Sequence, residues 1–118
     1  MAQTIYAKYG FNKINDIVRD FYGRIQQSPL LIPYFKGINV ERVMYHQTQF
    51  LCFVSGGPVD YSGQEMIEAH RNLHITDEAF TEIKALLKKT LEAHGVEDND
   101  REVIAEVIEQ HRVDLVAQ

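Results

Sequence analysis

Apolar side chains recur at helical spacing near the start of the chain, directly after a polar residue. The series runs through Ile14, Ile17, Val18, Phe21 and Ile25. Residues with this spacing lie on one face of an α-helix, so the pattern predicts an amphipathic helix. Asn12 stands just before the series, and asparagine is a favoured N-cap residue. We therefore expect the first long helix to begin at Asn12.

A short helical segment is predicted after this helix. Ser28 and Pro29 have the form of an N-cap followed by proline in a first helical turn. The segment runs through Leu31, and we expect Pro33 and Gly37 to keep it short.

Two further long helices have clear start and stop signals. Asn39 is expected to cap the first of them, and Gly56-Gly57-Pro58 to end it. Its inner side carries Val40, Val43, Met44, Phe50, Leu51 and Val54. Thr76 is expected to cap the other, with acidic residues in the first turn, and Gly95 to close it. Its inner side carries Phe80, Ile83, Leu86, Leu87 and Leu91.

The pattern is weak between Val59 and Leu73, where it supports only a short helix inside a long connection. Asn99 and Glu102 have capping-box spacing and predict the start of a last helix, which runs to about Leu115. No segment alternates in the manner of a strand. The sequence therefore predicts an all-α fold with four substantial helices, in a single domain of residues 1–118.

Composition restricts the function classes. The chain is 45% hydrophobic and 25% charged, as in ordinary globular proteins, and its formal net charge of −5 argues against nucleic acid as a partner. Its apolar runs are too short to span a membrane, and its first residues do not resemble a signal peptide. Cys52 is the single cysteine, which excludes an internal disulfide and fits a reducing compartment. We expect a cytoplasmic protein.

Two polar side chains are predicted to point inward. Gln47 shares one face of its helix with Val43 and Leu51, and Tyr22 lies beside Phe21 on the inner side of the first helix. Buried amides and phenols need hydrogen-bond partners. One interpretation is that both are satisfied within the core. The other is that both point into a cavity and converge on one bound ligand.

The five histidines offer no decisive signal by themselves. His46 lies at the edge of an apolar helix face, His70 ends the weak segment, and His74 follows it by one helical turn. No carboxylate or cysteine completes a tetrahedral zinc set with this last pair. His94 stands where a helix C-terminus favours a cation, and His111 lies at the edge of the last inner stripe. A chain this short can hold a large apolar ligand only if the ligand forms part of its core, as a haem does.

The order and spacing of many short segments resemble those of the group I truncated haemoglobins, the two-over-two helical globins of bacteria, cyanobacteria, ciliates and green algae. The similarity runs from Ile5 to about Leu115 and is nearest to the cyanobacterial type. The matching segments are Asp20-Phe21-Tyr22, Tyr34-Phe35-Lys36-Gly37, His46-Gln47, Phe50-Leu51, Gly56-Gly57-Pro58, Tyr61-Ser62-Gly63, Ala69-His70 and Ile75-Thr76-Asp77 through Phe80.

This resemblance implies a two-over-two helical sandwich that encloses haem b and assigns roles to individual residues. His70 matches the proximal histidine that binds the iron, and Phe35 matches the phenylalanine on the haem face. Tyr22 and Gln47 match the distal pair that donates hydrogen bonds to bound oxygen. Arg42 and Tyr61 match positions that contact the propionates. Further pocket residues by this resemblance are Val43, Phe50, Leu51, Met66, Leu73, Ile75 and Phe80.

The chain also departs from the family pattern or carries its variants. Gly10 is followed by Phe11 where the family usually has two glycines, and Leu51 replaces a phenylalanine that gates an apolar tunnel in some members. His46 occupies the position that can become a sixth iron ligand in the cyanobacterial proteins. His111 matches a histidine that can bond covalently to a haem vinyl group.

Three functions are therefore weighed. The first is reversible binding of O₂, NO or CO in a monomer, with O₂ and NO converted to nitrate when an unidentified reductase resets the iron. The second is electron transfer or peroxide handling, which gains weight if His46 binds the iron. The third, from another class, is a haem-free helical interaction module in which Tyr22 and Gln47 are satisfied core residues.

Overall fold

The computed structural model describes residues 4–37, 39–58, 75–110 and 112. Regular structure within these residues is helical, and none of them forms a strand, so the predicted all-α class is confirmed. The five helices of this part of the chain are α1 (Ile5–Tyr9), α2 (Phe11–Ile25), α3 (Val40–Val54), α4 (Asp77–Ala93) and α5 (Asp98–Gln110). A 3₁₀-helical turn, Ile32–Phe35, lies between α2 and α3. None of the described helices is long and apolar enough to cross a membrane.

Three of the predicted helix ends are confirmed. The Asn39 side chain accepts a hydrogen bond from the backbone N–H of Arg42, and the Thr76 hydroxyl accepts one from Ala79. Both bonds satisfy a backbone donor that a helix start otherwise leaves unpaired. At the end of α4, Gly95 has φ +78°, and the next N–H, of Val96, donates to the Leu91 carbonyl at 3.0 Å. Glycine adopts this left-handed conformation without steric cost.

Two predicted helix starts are wrong. Asn12 lies inside α2, because Gly10 with φ +85° ends α1 and Phe11 already begins the next helix. Asn99 lies inside α5, which begins at Asp98. The Glu102 side chain pairs with Lys88 of α4, so no capping box forms.

The short segment after α2 begins where the sequence predicts but becomes regular later. The Ser28 carbonyl accepts hydrogen bonds from the N–H groups of Leu31 and Ile32. The 3₁₀ turn then spans Ile32–Phe35 and includes Pro33, which was expected only to keep the segment short. Proline is tolerated there because a first helical turn has free N–H groups.

The long helices form the core of the described residues. Helix α2 packs against α3 and α4, and α4 packs against α5. Ion pairs Lys84–Glu109 (2.7 Å) and Lys88–Glu102 (3.2 Å) show that α4 and α5 run antiparallel. The large aliphatic side chains that are fully buried come from α2, α4 and α5 and the segment after α2: Ile17, Val18, Ile25, Leu31, Leu91 and Ile104.

Helix α1 was not predicted from the sequence. It has five residues and none of them is fully buried, so periodicity gives no signal and its own hydrogen bonds cannot stabilise it alone. It is held by neighbouring elements. The Tyr6 N–H donates to the Ser55 carbonyl at the end of α3 (2.8 Å), and the Tyr9 hydroxyl donates to Asp100 of α5 (2.8 Å).

Candidate functional site

Tyr22 is the first of the two inward polar residues, and the structure buries it. Its side chain is on the inner face of α2 and is only 8% exposed. Its ring meets that of Phe35 edge-on, with centroids 6.0 Å apart and planes at 85°. The 3₁₀ turn therefore positions Phe35 against Tyr22, and two residues that lie in separate elements become one aromatic wall.

Gln47 is the second inward polar residue. Its Oε1 is shielded from solvent and has no hydrogen-bond partner among the described residues. Whichever amide atom occupies this place, a buried unpaired polar atom costs about 1–3 kcal/mol. Helix α3, which carries Gln47, packs directly on α2, which carries Tyr22. The Oε1 atom therefore lacks the partner that a satisfied core glutamine would have, and is available to a ligand.

The predicted apolar pocket residues divide by burial. Leu51, Ile75 and Phe80 are each 4% exposed and belong to the hydrophobic core. Val43 and Phe50 are only half-buried. Apolar side chains that stop short of full burial, next to a buried unpaired amide, are typical of a wall that an apolar ligand completes.

Charged and aromatic residues flank this wall on α3. Arg42 is exposed and forms no ion pair with another described residue. His46 is half-buried, and its ring meets that of Tyr45 edge-on at 5.7 Å. The remaining predicted site residues, Tyr61, Met66, His70, Leu73 and His111, lie outside the described residues.

Sequence reasoning missed an ion-pair cluster between α2 and the C-terminus of α4. His94 caps the C-terminus of α4, as predicted for a cation, and its Nε2 lies 3.0 Å from Asp20 Oδ2. Arg24 Nε lies 3.2 Å from Asp20 Oδ1. Desolvation raises the pKa of Asp20, but the hydrogen bonds from Arg24 and His94 outweigh it and leave the pKa below its usual value. The only sequence signal was the one-turn spacing of Asp20 and Arg24.

No group of three or more His, Cys, Asp or Glu side chains in residues 4–37, 39–58, 75–110 and 112 could hold a metal ion alone. The described wall instead offers one phenol, one amide and apolar surface. It suits a large, mostly apolar ligand with a polar atom near its centre.

Comparison with known proteins identifies the family. The sequence profile of the bacterial-like globins matches residues 4–117. The chain is a bacterial-like globin. The globin is 33% identical over 117 residues to the group 1 truncated haemoglobin of Tetrahymena pyriformis, a match that covers 98% of this chain and 97% of the other. It is 32% identical over 109 residues to the group 1 protein of Synechocystis, covering 88% and 86%.

Solved structures agree with this assignment. The crystal structure of T. pyriformis truncated haemoglobin in the Fe(III) form superposes with a TM-score of 0.89 at 33% identity, covering 98% of this globin and all (100%) of that chain. The group II truncated haemoglobin of Bacillus anthracis superposes with a TM-score of 0.86 at 21% identity, which supports the fold alone. The resemblance to group I truncated globins is confirmed, and with it the truncated globin fold.

Membership of this family makes the chain a haem-binding globin, and the described residues fit a haem. The shielded, unpaired Oε1 of Gln47 and the buried Tyr22 side chain lie on helices that pack together. Half-buried Val43 and Phe50 offer apolar surface on the same helix as Gln47. A planar apolar cofactor that carries a polar ligand would use both kinds of surface.

Proposed function

We propose that this globin holds haem b with His70 as the protein ligand of the iron, and binds O₂ on the side of Tyr22 and Gln47. The observation that carries the proposal is the Gln47 Oε1, which is shielded from solvent and unpaired on a helix that packs against the helix of Tyr22. A bound haem supplies an iron atom that takes up diatomic gases and changes oxidation state. The protein supplies the environment that decides what happens to the gas.

Tyr22 and Gln47 would hold O₂ by hydrogen bonding. The Tyr22 hydroxyl and the Gln47 amide group are both hydrogen-bond donors. Tyr22 is only 8% exposed, and the Gln47 Oε1 is shielded from solvent. Hydrogen bonds in such a low-dielectric site are stronger than at the surface. Two donors should therefore slow O₂ release, which suits a reaction of the gas better than its bulk transport.

Spacing in a relative supports this pair. Solved forms of the T. pyriformis protein include variants of one tyrosine and two glutamines. That tyrosine and the second glutamine are as far apart in the other sequence as Tyr22 and Gln47 are in this one. The first glutamine has the spacing of Val43, so this globin would have one polar distal side chain fewer.

The proposal is tested by haem uptake and by substitution of single histidines. Purified protein should bind added hemin with a sharp Soret band and, when reduced, take up CO and O₂. His70→Ala should weaken haem binding severely, whereas His74→Ala, one helical turn later, should not. A parental protein that binds no hemin would overturn the globin function and favour a haem-free interaction module. Equal behaviour of the two variants would overturn the role of His70 only.

The reaction that we propose for bound O₂ is the oxidation of nitric oxide. One O₂, one NO and one electron from the ferrous protein combine to give nitrate, and a cytoplasmic reductase then returns the electron. The test is stopped-flow mixing of the oxygenated protein with NO. Rapid conversion to ferric protein with one nitrate per haem is expected, and slow or non-stoichiometric conversion would exclude this activity.

A second candidate function is redox chemistry with His46 as a sixth ligand. The observation that favours it is the half-buried position of the His46 ring, one residue before Gln47 on α3. Occupation of the sixth position would hinder gas binding and favour electron transfer. A low-spin ferric spectrum that becomes high-spin in His46→Leu supports this function, and a high-spin parental spectrum excludes it. Mass spectrometry after acid extraction of haem tests whether His111 attaches the cofactor covalently.

A further inference from the structure

The described residues on either side of residues 59–74 are tied, through different contacts, to the same helix. Residues 59–74 contain His70, and the proposed function makes His70 the iron ligand. Helix α3 precedes them and α4 follows them. One set of contacts lies at the N-terminal end of α5 and the other just beyond its C-terminal end. Both consist largely of polar groups that we have not placed in the haem pocket.

The chain before residue 59 is fixed by α1. Tyr6 donates its backbone N–H to the Ser55 carbonyl at 2.8 Å, and its ring lies over Gly57. A Cβ atom at Gly57 would lie 2.6 Å from Tyr6 Cδ2, which is closer than real Cβ contacts allow. The Gly57 N–H also donates to the Cys52 carbonyl at 2.8 Å. Position 57 must therefore be glycine if the Tyr6 ring is to pack there.

Helix α1 is in turn anchored to the start of α5. Lys8 Nζ lies 2.9 Å from Asp100 Oδ2, and the Tyr9 hydroxyl donates to the same oxygen at 2.8 Å. The Tyr9 hydroxyl also accepts the Glu97 N–H at 2.9 Å. Lys8 and Glu97 form a further ion pair. A five-residue helix thus links the end of α3 to the N-terminus of α5.

The chain after residue 74 is fixed by Arg112, just beyond the other end of α5. Arg112 Nη1 donates to Asp77 Oδ1 at 2.6 Å and to the Asp77 carbonyl at 3.2 Å. The guanidinium lies 4.7 Å from the centroid of the Phe80 ring, a cation–π distance. Glu109 holds the same guanidinium through Nε at 2.6 Å and Nη2 at 3.1 Å. Arg112 is therefore oriented before it meets Asp77.

We infer that Tyr6 and Arg112 are positioning residues for the iron ligand, with α5 as a spacer between them. The helix has 13 residues and a length of about 20 Å at 1.5 Å per residue. These contacts join one rigid element to the backbone just before residues 59–74 and just after them, in addition to the packing of α3 and α4 on α2. Loss of either contact would let that end shift and would change how His70 meets the iron. This inference rests on the proposed role of His70.

The test uses the haem-loaded protein and two disrupting variants. Tyr6→Ala removes the aromatic ring that packs on Gly57. Arg112→Gln removes the positive charge that pairs with Asp77 and lies over the Phe80 ring. We expect both to shift the iron–histidine stretching band of the ferrous, ligand-free protein in resonance Raman spectra. We also expect transfer of haem to apomyoglobin to be several times faster. Arg112→Lys keeps the charge but not the planar fork, so its band should shift less than that of Arg112→Gln.

Two matched controls separate positioning from general stabilisation. Tyr6→Phe keeps the ring over Gly57, and Lys88→Gln breaks an ion pair between the same two helices away from residues 59–74. Both should keep the parental band and haem transfer rate. A band that is unmoved in Tyr6→Ala and Arg112→Gln, whatever their melting temperatures, overturns the inference. If Tyr6→Ala does not fold, the three variants at Arg112 and Lys88 decide.

The same spectra distinguish this failure from failure of the proposed function. A parental band that disappears in His70→Ala supports the assignment of the ligand. A parental protein without an iron–histidine band, or with a band that survives in His70→Ala, contradicts the proposed function itself.

Discussion

Two groups of polar side chains in this globin differ in their hydrogen bonding. Where α1 meets α5, Lys8, Tyr9 and Asp100 bond to one another at the surface. Tyr22 on α2 is only 8% exposed, and the Gln47 Oε1 on α3 is shielded from solvent and unpaired among the described residues. The polar groups at the α1–α5 contact, which serve the fold, satisfy each other, whereas the Gln47 oxygen, proposed to serve a ligand, carries a desolvation cost until the ligand arrives.

The largest expected effect comes from removing one hydroxyl from the distal pair. Tyr22→Phe should speed O₂ release by roughly ten to a hundredfold, because a hydrogen bond to a charged group contributes about 1.5–3 kcal/mol. The measurement is displacement of O₂ by CO in a stopped-flow instrument.

Tyr9→Phe is the matched control for this substitution, with the same atom removed from the surface cluster. It should leave O₂ release unchanged and lower the free energy of unfolding by about 1 kcal/mol, since the Tyr9 hydroxyl bonds Asp100 and the Glu97 N–H. If both variants changed O₂ release equally, the division between ligand-serving and fold-serving groups would be wrong.

A smaller effect is expected at Gln47, with opposite signs for stability and function. Gln47→Leu removes a buried unpaired atom, so the haem-free protein should gain about 1 kcal/mol in the free energy of unfolding. O₂ release should become faster because a donor is lost. Urea unfolding and stopped-flow displacement measure the two changes. Gln49→Leu, two residues along α3 on a different face, should change neither, and a loss of stability in Gln47→Leu would mean that the amide already has a partner.

The smallest effect is expected at Glu109, a surface carboxylate that contributes to stability rather than to ligand binding. Hydrogen bonds from Arg112 and then Lys84 hold the pKa of Glu109 at about 2, below its ordinary 4.5. Ionised Glu109 therefore stabilises the folded state fully above pH 4.5, and this contribution is lost as the pH falls towards 2. The stability difference between parental protein and Glu109→Gln should shrink over that interval in acid titrations. The matched control is Glu106→Gln, which removes a carboxylate from the exposed side of α5.

The helix starts were predictable where a side chain forms a hydrogen bond with the backbone a few residues away. Asn39 and Thr76 cap their helices through local hydrogen bonds, so sequence alone located those starts. Asn12 and Asn99 have the same local chemistry but were overridden by a glycine turn and an earlier helix start. Helix α1 could not be predicted, because its stability comes from contacts with α3 and α5 that are distant in sequence.

The sequence pattern alone predicted which polar residues of the candidate site face inward, but not which ligand they meet. Periodicity placed Tyr22 and Gln47 on inner faces, and the structure buries Tyr22 and shields the Gln47 Oε1 from solvent. Their common ligand came from the resemblance, since inward polarity is compatible with several partners. The Asp20–His94 pair joins residues far apart in the chain, and no local spacing reports such a contact.

The buried thiol of Cys52 has a practical consequence. Its side chain is 0% exposed, and burial raises its pKa, so it stays protonated and out of reach of reagents that attack thiolates. We expect maleimide dyes to leave the native protein unlabelled. A fluorophore or spin label could then be attached at a single introduced surface cysteine, with Cys52 left in place to fill the core.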